Sequence, residues 1–333
     1  MKVLLVGDFS LGALGLSYLK AFKKLGVDTT TFDYKKEGKT LFLNYFFEHC
    51  LNKSLNKKLY ELIRLNDFDF IFIIKGTFIF PETLLKIKKT TNILLFNFNP
   101  DNPFNLNRGA SNDLIRKSIP LYDCYFIWGE FLIPKLTEAG AKKVEYLPFA
   151  YDPELHYPTD ITEEETKKFG SDIVFIGSWD SEREWWLEKI AEYDLTIFGG
   201  NWNKLAKESL LRKKWKGREV IGLDFSKVCA ASKIVLNLIR KQNENAHNMR
   251  TFEVPACKGF MLTTRTKEQC EFFEEDKEIT CFETPDELID KIKRYLPDKQ
   301  FRENASLAAY NKVKQNTYME RVQLIINLIK ENF

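Results

Sequence analysis

The sequence predicts an α/β protein of two parallel-sheet domains, and three observations predict it. At 333 residues the chain exceeds the size at which a single hydrophobic core stops growing. Short apolar runs recur along it, each followed by a stretch of helical periodicity, as strands covered on both faces by helices require. The series is interrupted once, between Leu147 and Gly170, by Pro148, Pro153, Pro158 and the acidic run Thr162-Glu163-Glu164-Glu165. Prolines at that density mark a linker, and the acidic run a short polar helix.

In the first half the predicted strands are Lys2 to Val6, Asp28 to Phe32, Phe70 to Ile74, Ile93 to Phe96, Cys124 to Ile127 and Lys143 to Tyr146. Helical periodicity lies between them at Leu11 to Leu25, Thr40 to Leu65, Pro81 to Lys88 and Phe131 to Ala139. The second series runs Asp172 to Ile176, Leu195 to Phe198, Glu219 to Ile221, Ile234 to Leu236, Phe260 to Thr263 and Ile279 to Phe282. Its helices are expected at Glu182 to Glu192, Phe225 to Ala231, Met249 to Cys257, Lys267 to Phe273 and Pro285 to Tyr295. From Pro297 the chain reads as helix to its end, and Val322, Leu324, Ile325, Leu328 and Ile329 form an apolar stripe that needs a surface to cover. The expected domains are therefore 1–164, with 317–333 packing back on it, and 165–316.

Composition excludes several classes. Hydrophobic residues make up 44% and charged residues 29%, so the chain can fold throughout, and a net charge of +3 is too small to mark a nucleic-acid binder. The basic run Arg212-Lys213-Lys214-Trp215-Lys216-Gly217-Arg218 reads as a solvated face, with contact to nucleic acid or peripherally to an anionic membrane surface as the alternatives. Six cysteines (Cys50, Cys124, Cys229, Cys257, Cys270, Cys281) show no C-x-x-C pair and no histidine at zinc-finger spacing. With no apolar run long enough for a signal peptide or a membrane span, a cytoplasmic location is expected.

Ligands of open α/β sheets bind beyond the carboxyl ends of the strands, so chemistry is expected where polar residues follow a strand. Gly7-Asp8-Phe9-Ser10-Leu11-Gly12-Ala13-Leu14-Gly15 is a glycine-rich strand-to-helix turn with neither dinucleotide nor Walker spacing; it either presents Asp8 at the mouth of the sheet, where an acceptor docks, or is a tight turn with Asp8 solvated or capping. Asn99-Pro100-Asp101-Asn102-Pro103 presents Asp101 at the same edge, where a carboxylate can act as general base or simply form an Asx turn. Asp67-Phe68-Asp69 has the D-x-D form of a metal motif but precedes its strand, at the opposite edge, so no metal is expected.

In the second half, Gly177 and Ser178 follow a buried strand and Arg183 falls in the first turn of the next helix, a combination suited to a diphosphate. Gly199, in Phe198-Gly199-Gly200-Asn201-Trp202, makes a second flexible turn at a strand end, suited to lining a base or sugar pocket. The run His247-Asn248-Met249-Arg250-Thr251-Phe252-Glu253 opens a helix with Asn248 as N-cap, and its spacing puts His247, Arg250 and Glu253 along one face. That face is either an ordinary solvated stripe or half of a ribose and diphosphate clamp.

At these residues the chain resembles the CgeB-type, spore-maturation protein-like glycosyltransferases of the GT-B superfamily. The resemblance rests on Asn248 through Phe260, Glu271-Phe272-Phe273 and Thr284-Pro285-Asp286-Glu287-Leu288, covers roughly residues 170 to 300, and departs from the pattern at Pro255, where a kink is expected. It implies two facing Rossmann-like domains, with a nucleotide-diphosphate sugar in the C-terminal one as co-substrate and no other cofactor. It also implies Glu253 on the ribose, Arg250 near the phosphates, His247 close to the donor sugar, and metal-independent transfer. A glycan, a lipid-linked species or a protein would be the acceptor, in glycan or surface-polysaccharide assembly. Asp101 or Asp8 would take the acceptor proton if the anomeric centre inverts, with His247 a further catalytic candidate. A nucleotide-sugar epimerase and a non-catalytic nucleotide-sugar-binding protein are the alternatives.

Overall fold

A computed structural model describes the chain except for residues 38–44, 107–109 and 244. The start of the helix expected over Thr40 to Leu65 lies outside the described residues. Two compact units are present, Met1–Pro148 with Tyr318–Phe333, and Phe149–Thr317. The division thus falls at Pro148, ahead of the expected 164. Two hydrogen bonds donated by backbone N–H groups tie the intervening segment to the second unit: Phe149 N–H donates to His247 Nε2, and Tyr151 N–H to the Asn316 carbonyl.

The first unit runs β1 (Lys2–Gly7), α1 (Leu14–Lys24), β2 (Asp28–Asp33), α2 (Tyr34–Glu37), α3 (Tyr45–Arg64), β3 (Phe70–Ile74), α4 (Pro81–Thr90), β4 (Leu94–Asn99), α5 (Asp113–Ser118), β5 (Cys124–Ile127), α6 (Ile133–Glu138) and β6 (Val144–Tyr146). Its sheet is parallel, in the order β2-β1-β3-β4-β5-β6. β3 is buried along its whole length, which is why it reads as a continuous apolar run rather than an alternating one. Phe70, Phe72, Phe96, Phe98 and Phe126 fill this core with tilted and edge-on ring contacts.

The second unit runs α7 (Glu163–Phe169), β7 (Ile173–Ile176), α8 (Ser181–Glu188), β8 (Leu195–Phe198), α9 (Leu223–Ala231), β9 (Ile234–Asn237), α10 (Arg250–Ala256), β10 (Met261–Thr264), α11 (Lys267–Phe272), β11 (Thr280–Phe282), α12 (Pro285–Tyr295) and α13 (Lys299–Val313). Its parallel sheet has the order β11-β10-β9-β7-β8. The strand expected at Glu219 to Ile221 does not form. Only Val220 of the three is buried, Ile221 stays 39% exposed, and the chain passes directly into α9.

The chain ends in α14 (Tyr318–Asn332), which packs on α1 in the first unit. The rings of Tyr18 and Tyr318 stand 5.1 Å apart, and Arg321 Nε donates to the Pro148 carbonyl at 3.0 Å. The buried face is Val322, Ile325, Ile326 and Ile329, at i, i+3, i+4 and i+7, while Leu324 of the expected stripe points out at 52% exposure. Four such side chains contribute up to about 6–12 kcal/mol, so α14 is integral to the unit rather than a detachable tail.

Candidate functional site

The carboxyl edge of the second sheet collects most of the expected donor residues. β7 ends at Ile176, and the turn Gly177-Ser178-Trp179 lies against the end of β8: Gly177 N–H donates to the Phe198 carbonyl at 2.8 Å and Trp179 N–H to that of Gly200 at 2.9 Å. The approach is so close that a Cβ on Gly199, whose φ is +144°, would stand 2.0 Å from the Gly177 carbonyl oxygen. Gly199→Ala is therefore expected to cost roughly 2 kcal/mol or more, seen as a lower urea midpoint, because both the clash and the φ are unfavourable.

Asp180 caps α8, accepting from the Arg183 backbone N–H at 2.9 Å. The Arg183 guanidinium folds back over the turn, donating through Nη1 to the Ser178 carbonyl at 2.8 Å and approaching Asp180 Oδ2 through Nε at 3.4 Å. Arg240, just past β9, brings Nη1 to 3.9 Å of the same Asp180 oxygen. Arg250, the first residue of α10, donates from Nε to the Ile176 carbonyl at 3.2 Å, lies over the Phe225 ring at 4.9 Å, and pairs with Glu253. Burial pushes the Arg183 guanidinium down to about 10, with Asp180 opposing the fall and Arg240 and Arg250 adding to it. Three guanidiniums thus share the ends of β7 and β9 although they repel one another, an arrangement that a polyanion relieves.

Glu253 is placed differently from the ribose contact implied for it. Its side chain is 3% exposed, Arg250 covers it, and the buried His156 brings Nε2 to 3.6 Å from Oε1. Burial holds His156 below its ordinary pKa despite Glu253, and its Nδ1 accepts from the Asp152 N–H at 3.3 Å. In this arrangement Glu253 positions Arg250.

His247 is corrected outright. It is 0% exposed; Nε2 accepts from the Phe149 N–H at 3.0 Å, Nδ1 pairs with the buried Glu268, and the rings of Phe149, Phe252 and Phe272 surround it. An imidazole with both nitrogens engaged and no exposed surface does not contact a donor sugar or exchange protons with it. Asn248 is not the N-cap either, because α10 starts without a side-chain cap. Its amide instead donates to Asn237 Oδ1 at 2.8 Å, at the end of β9. Pro255 falls in the last turn of this short helix, and Lys258, with φ +57°, follows its end.

In the first unit Asp8 and Asp101 both lie at the carboxyl edge. Asp8 has both oxygens engaged, Oδ1 with the Ser10 N–H and hydroxyl and Oδ2 with Lys35 Nζ at 2.8 Å. Burial raises its carboxyl, but Lys35 and Ser10 outweigh that and hold it below the usual range. Asp101 follows β4 and pairs through Oδ2 with Lys75 at 2.6 Å. Asp69 of the D-x-D run accepts from the Lys2 N–H at 2.6 Å, at the amino edge.

Among the described residues, Cys270, Glu275 and Cys281 bring potential metal-ligand atoms within 4.8 Å of one another. Both Glu275 oxygens are committed to Arg265, at 2.7 and 3.0 Å, so the group fits a metal poorly. No helix among the described residues is long and apolar enough to cross a membrane. Sequence reasoning missed Arg240, His156 and Glu268. Arg240 was accessible by the strand-end rule, whereas His156 sat unremarked in the proline-rich segment.

Two parallel-sheet Rossmann-like units with a final helix returning to the first define a GT-B fold. Residues 183–327, which include Arg183, Arg240, Arg250 and Glu253, match the glycosyl transferase-like family model. No curated protein matches the chain by sequence. Among solved structures, the chain is similar to sucrose-phosphate synthase from Thermosynechococcus elongatus, with TM-score 0.71 and 11% identity over 100% of each chain. HepE from Anabaena in complex with UDP-glucose gives TM-score 0.67 and 12% identity over 99% of this chain and 100% of that one. A candidate UDP-N-acetylglucosamine 2-epimerase from Listeria monocytogenes gives TM-score 0.61 and 11% identity over 100% and 97%. At these identities the likeness is one of fold.

Proposed function

We propose that the protein is a glycosyltransferase of the CgeB type that moves a sugar from a nucleoside-diphosphate sugar to an acceptor hydroxyl without a metal ion. The observation that carries this reading is the convergence of Arg183, Arg240 and Arg250 on the carboxyl ends of β7 and β9, within the region similar to glycosyl transferases. As the bond between the anomeric carbon and the phosphate oxygen breaks, negative charge gathers on the departing diphosphate, and the guanidiniums and backbone N–H groups of this edge stabilise it. The positive charge that a divalent ion would supply is already present in the chain.

The acceptor oxygen forms the new bond to the anomeric carbon and its proton leaves to a carboxylate. Asp101 suits this step better than Asp8, whose oxygens are both taken and whose carboxyl is held low. That uridine diphosphate is the carrier is supported by the UDP-glucose complex of HepE. Glycan or surface-polysaccharide assembly is the proposed setting.

The test is a thermal-shift screen of the full chain with UDP, GDP, dTDP, CDP and CMP, with and without EDTA. A ligand at about 100 times its Kd stabilises the native state by about 2.7 kcal/mol, so one diphosphate should raise the melting temperature, equally in EDTA. No shift with any nucleotide would sink the donor reading, and a shift lost in EDTA would sink metal independence. Sugar released or interconverted without acceptor would replace transfer by hydrolysis or epimerisation.

A further inference from the structure

The opposite edge of the second sheet carries a cavity that the donor chemistry does not use. It has a volume of about 430 Å³ and lies at the starts of β9 and β10, beneath α13. Small-molecule sites run from about 300 to 1,000 Å³. Lys233, Lys258, Lys299 and Arg302 line it with a single carboxylate, Glu303, while Ala230, Phe260 and Leu307 supply apolar wall.

The cations are incompletely balanced. Lys233 pairs with Asp172 at 2.7 Å and Lys299 approaches Glu303 at 3.6 Å. Lys258 lies over the Tyr310 ring at 4.9 Å and has no carboxylate partner among the described residues. Arg302 gives Nη1 to the Tyr295 and Leu296 carbonyls at 2.7 and 2.6 Å; Asp298, Glu303 and Asp172 act on its charge from longer range, and none of them forms an ion pair with it among the described residues. Partial burial lowers the Arg302 pKa, with Asp298, Glu303 and Asp172 opposing the fall.

Two further features favour an anion. Beyond its Asp298 cap, the first turn of α13 carries no acidic residue, so Lys299 and Arg302 add to the positive end of the helix dipole instead of offsetting it. Ser232, which also lines the cavity, is 8% exposed, and its hydroxyl has no hydrogen-bond partner among the described residues. A buried hydroxyl left unpaired is costly unless a ligand or water meets it.

We propose that this cavity is a second anion site, separate from the donor edge, which takes a phosphate-bearing small molecule with an apolar or aromatic body. The phosphate sits among Lys258, Lys299 and Arg302 with the Ser232 hydroxyl as a further donor, and the body lies on Phe260 and Leu307.

Amine acetylation of the full chain, read lysine by lysine by mass spectrometry with pyrophosphate or AMP present, tests the site. Both ligands should protect Lys258 and Lys299 several-fold, AMP at lower concentration because it also covers the apolar wall. Calorimetry should show a site weakened about tenfold or more in the Lys258→Gln/Lys299→Gln double variant. The donor-edge variant Arg240→Gln should leave that protection intact. Melting curves of the double variant check that it folds, and Ser232→Ala gives a second, milder weakening. Absence of protection at millimolar ligand, or protection that disappears with Arg240→Gln, would overturn the proposal. Pyrophosphate binding as tightly as AMP would remove the apolar body from it.

Discussion

Replacing Arg250 with glutamine should weaken nucleoside-diphosphate binding by about 10- to 100-fold, measured by calorimetry with the diphosphate identified in the screen. A hydrogen bond to a charged group contributes about 1.5–3 kcal/mol, which converts to that range. The effect exceeds that of Arg240→Gln, because Arg250 is anchored on the Ile176 carbonyl and over Phe225, whereas Arg240 stands 3.9 Å from Asp180, at the limit of an ion pair. An anchored guanidinium loses less freedom when a ligand arrives. Stability should fall as well, since Glu253 is 3% exposed and Arg250 is its charged partner.

The double variant Arg250→Gln/Glu253→Gln separates the two effects: it should recover most of the stability and none of the affinity. Glu253→Gln alone decides what that carboxylate does. Acting through Arg250, it weakens UDP and 2′,3′-dideoxy-UDP alike; holding the ribose diol, it weakens UDP and leaves the dideoxy analogue unchanged. Equal losses would favour the positioning role drawn from its burial.

The contrast between Arg250 and His247 shows what the sequence could carry. Runs such as Ile173-Val174-Phe175-Ile176 announce strands because a chain buried on both faces has no polar position to alternate with, and the central strands of both sheets were legible for that reason. The pairing of Arg250 with Glu253 was also legible, since both lie inside α10 and a spacing of three brings side chains together in a helix. His247 has the same spacing from Arg250 but precedes the helix, and outside a helix the rule has no force. Its ring turns inward to Phe149 and Glu268, partners far along the chain that no local pattern reveals. The domain boundary failed for the same cause, because Phe149 and Tyr151 are claimed by His247 and Asn316, whereas the prolines around them marked only where helix could not form. Glu219 to Ile221 had the composition of a strand but supplied one buried side chain, too little to extend the sheet past β8.

Replacing His247 with phenylalanine should cost roughly 3 kcal/mol, because it leaves the buried Glu268 carboxylate and the Phe149 N–H without their hydrogen-bond partners while the new ring keeps the aromatic packing. With a denaturant slope of about 3 kcal/mol per molar, the urea midpoint should fall by about 1 M. The loss has two sources: Glu268, 3% exposed, forfeits the Nδ1 donor, and the Phe149 N–H forfeits the Nε2 acceptor. Changing Glu268 to leucine in the same chain removes the first source, so His247→Phe/Glu268→Leu should regain part of the stability and not all of it. Nucleotide affinity, measured well below either melting transition, should stay within about twofold of the unaltered chain, because the ring has no exposed surface to offer a ligand. The opposite pattern, unchanged stability with lost sugar transfer, would return His247 to the catalytic role that its place beside Arg250 in the sequence first suggested.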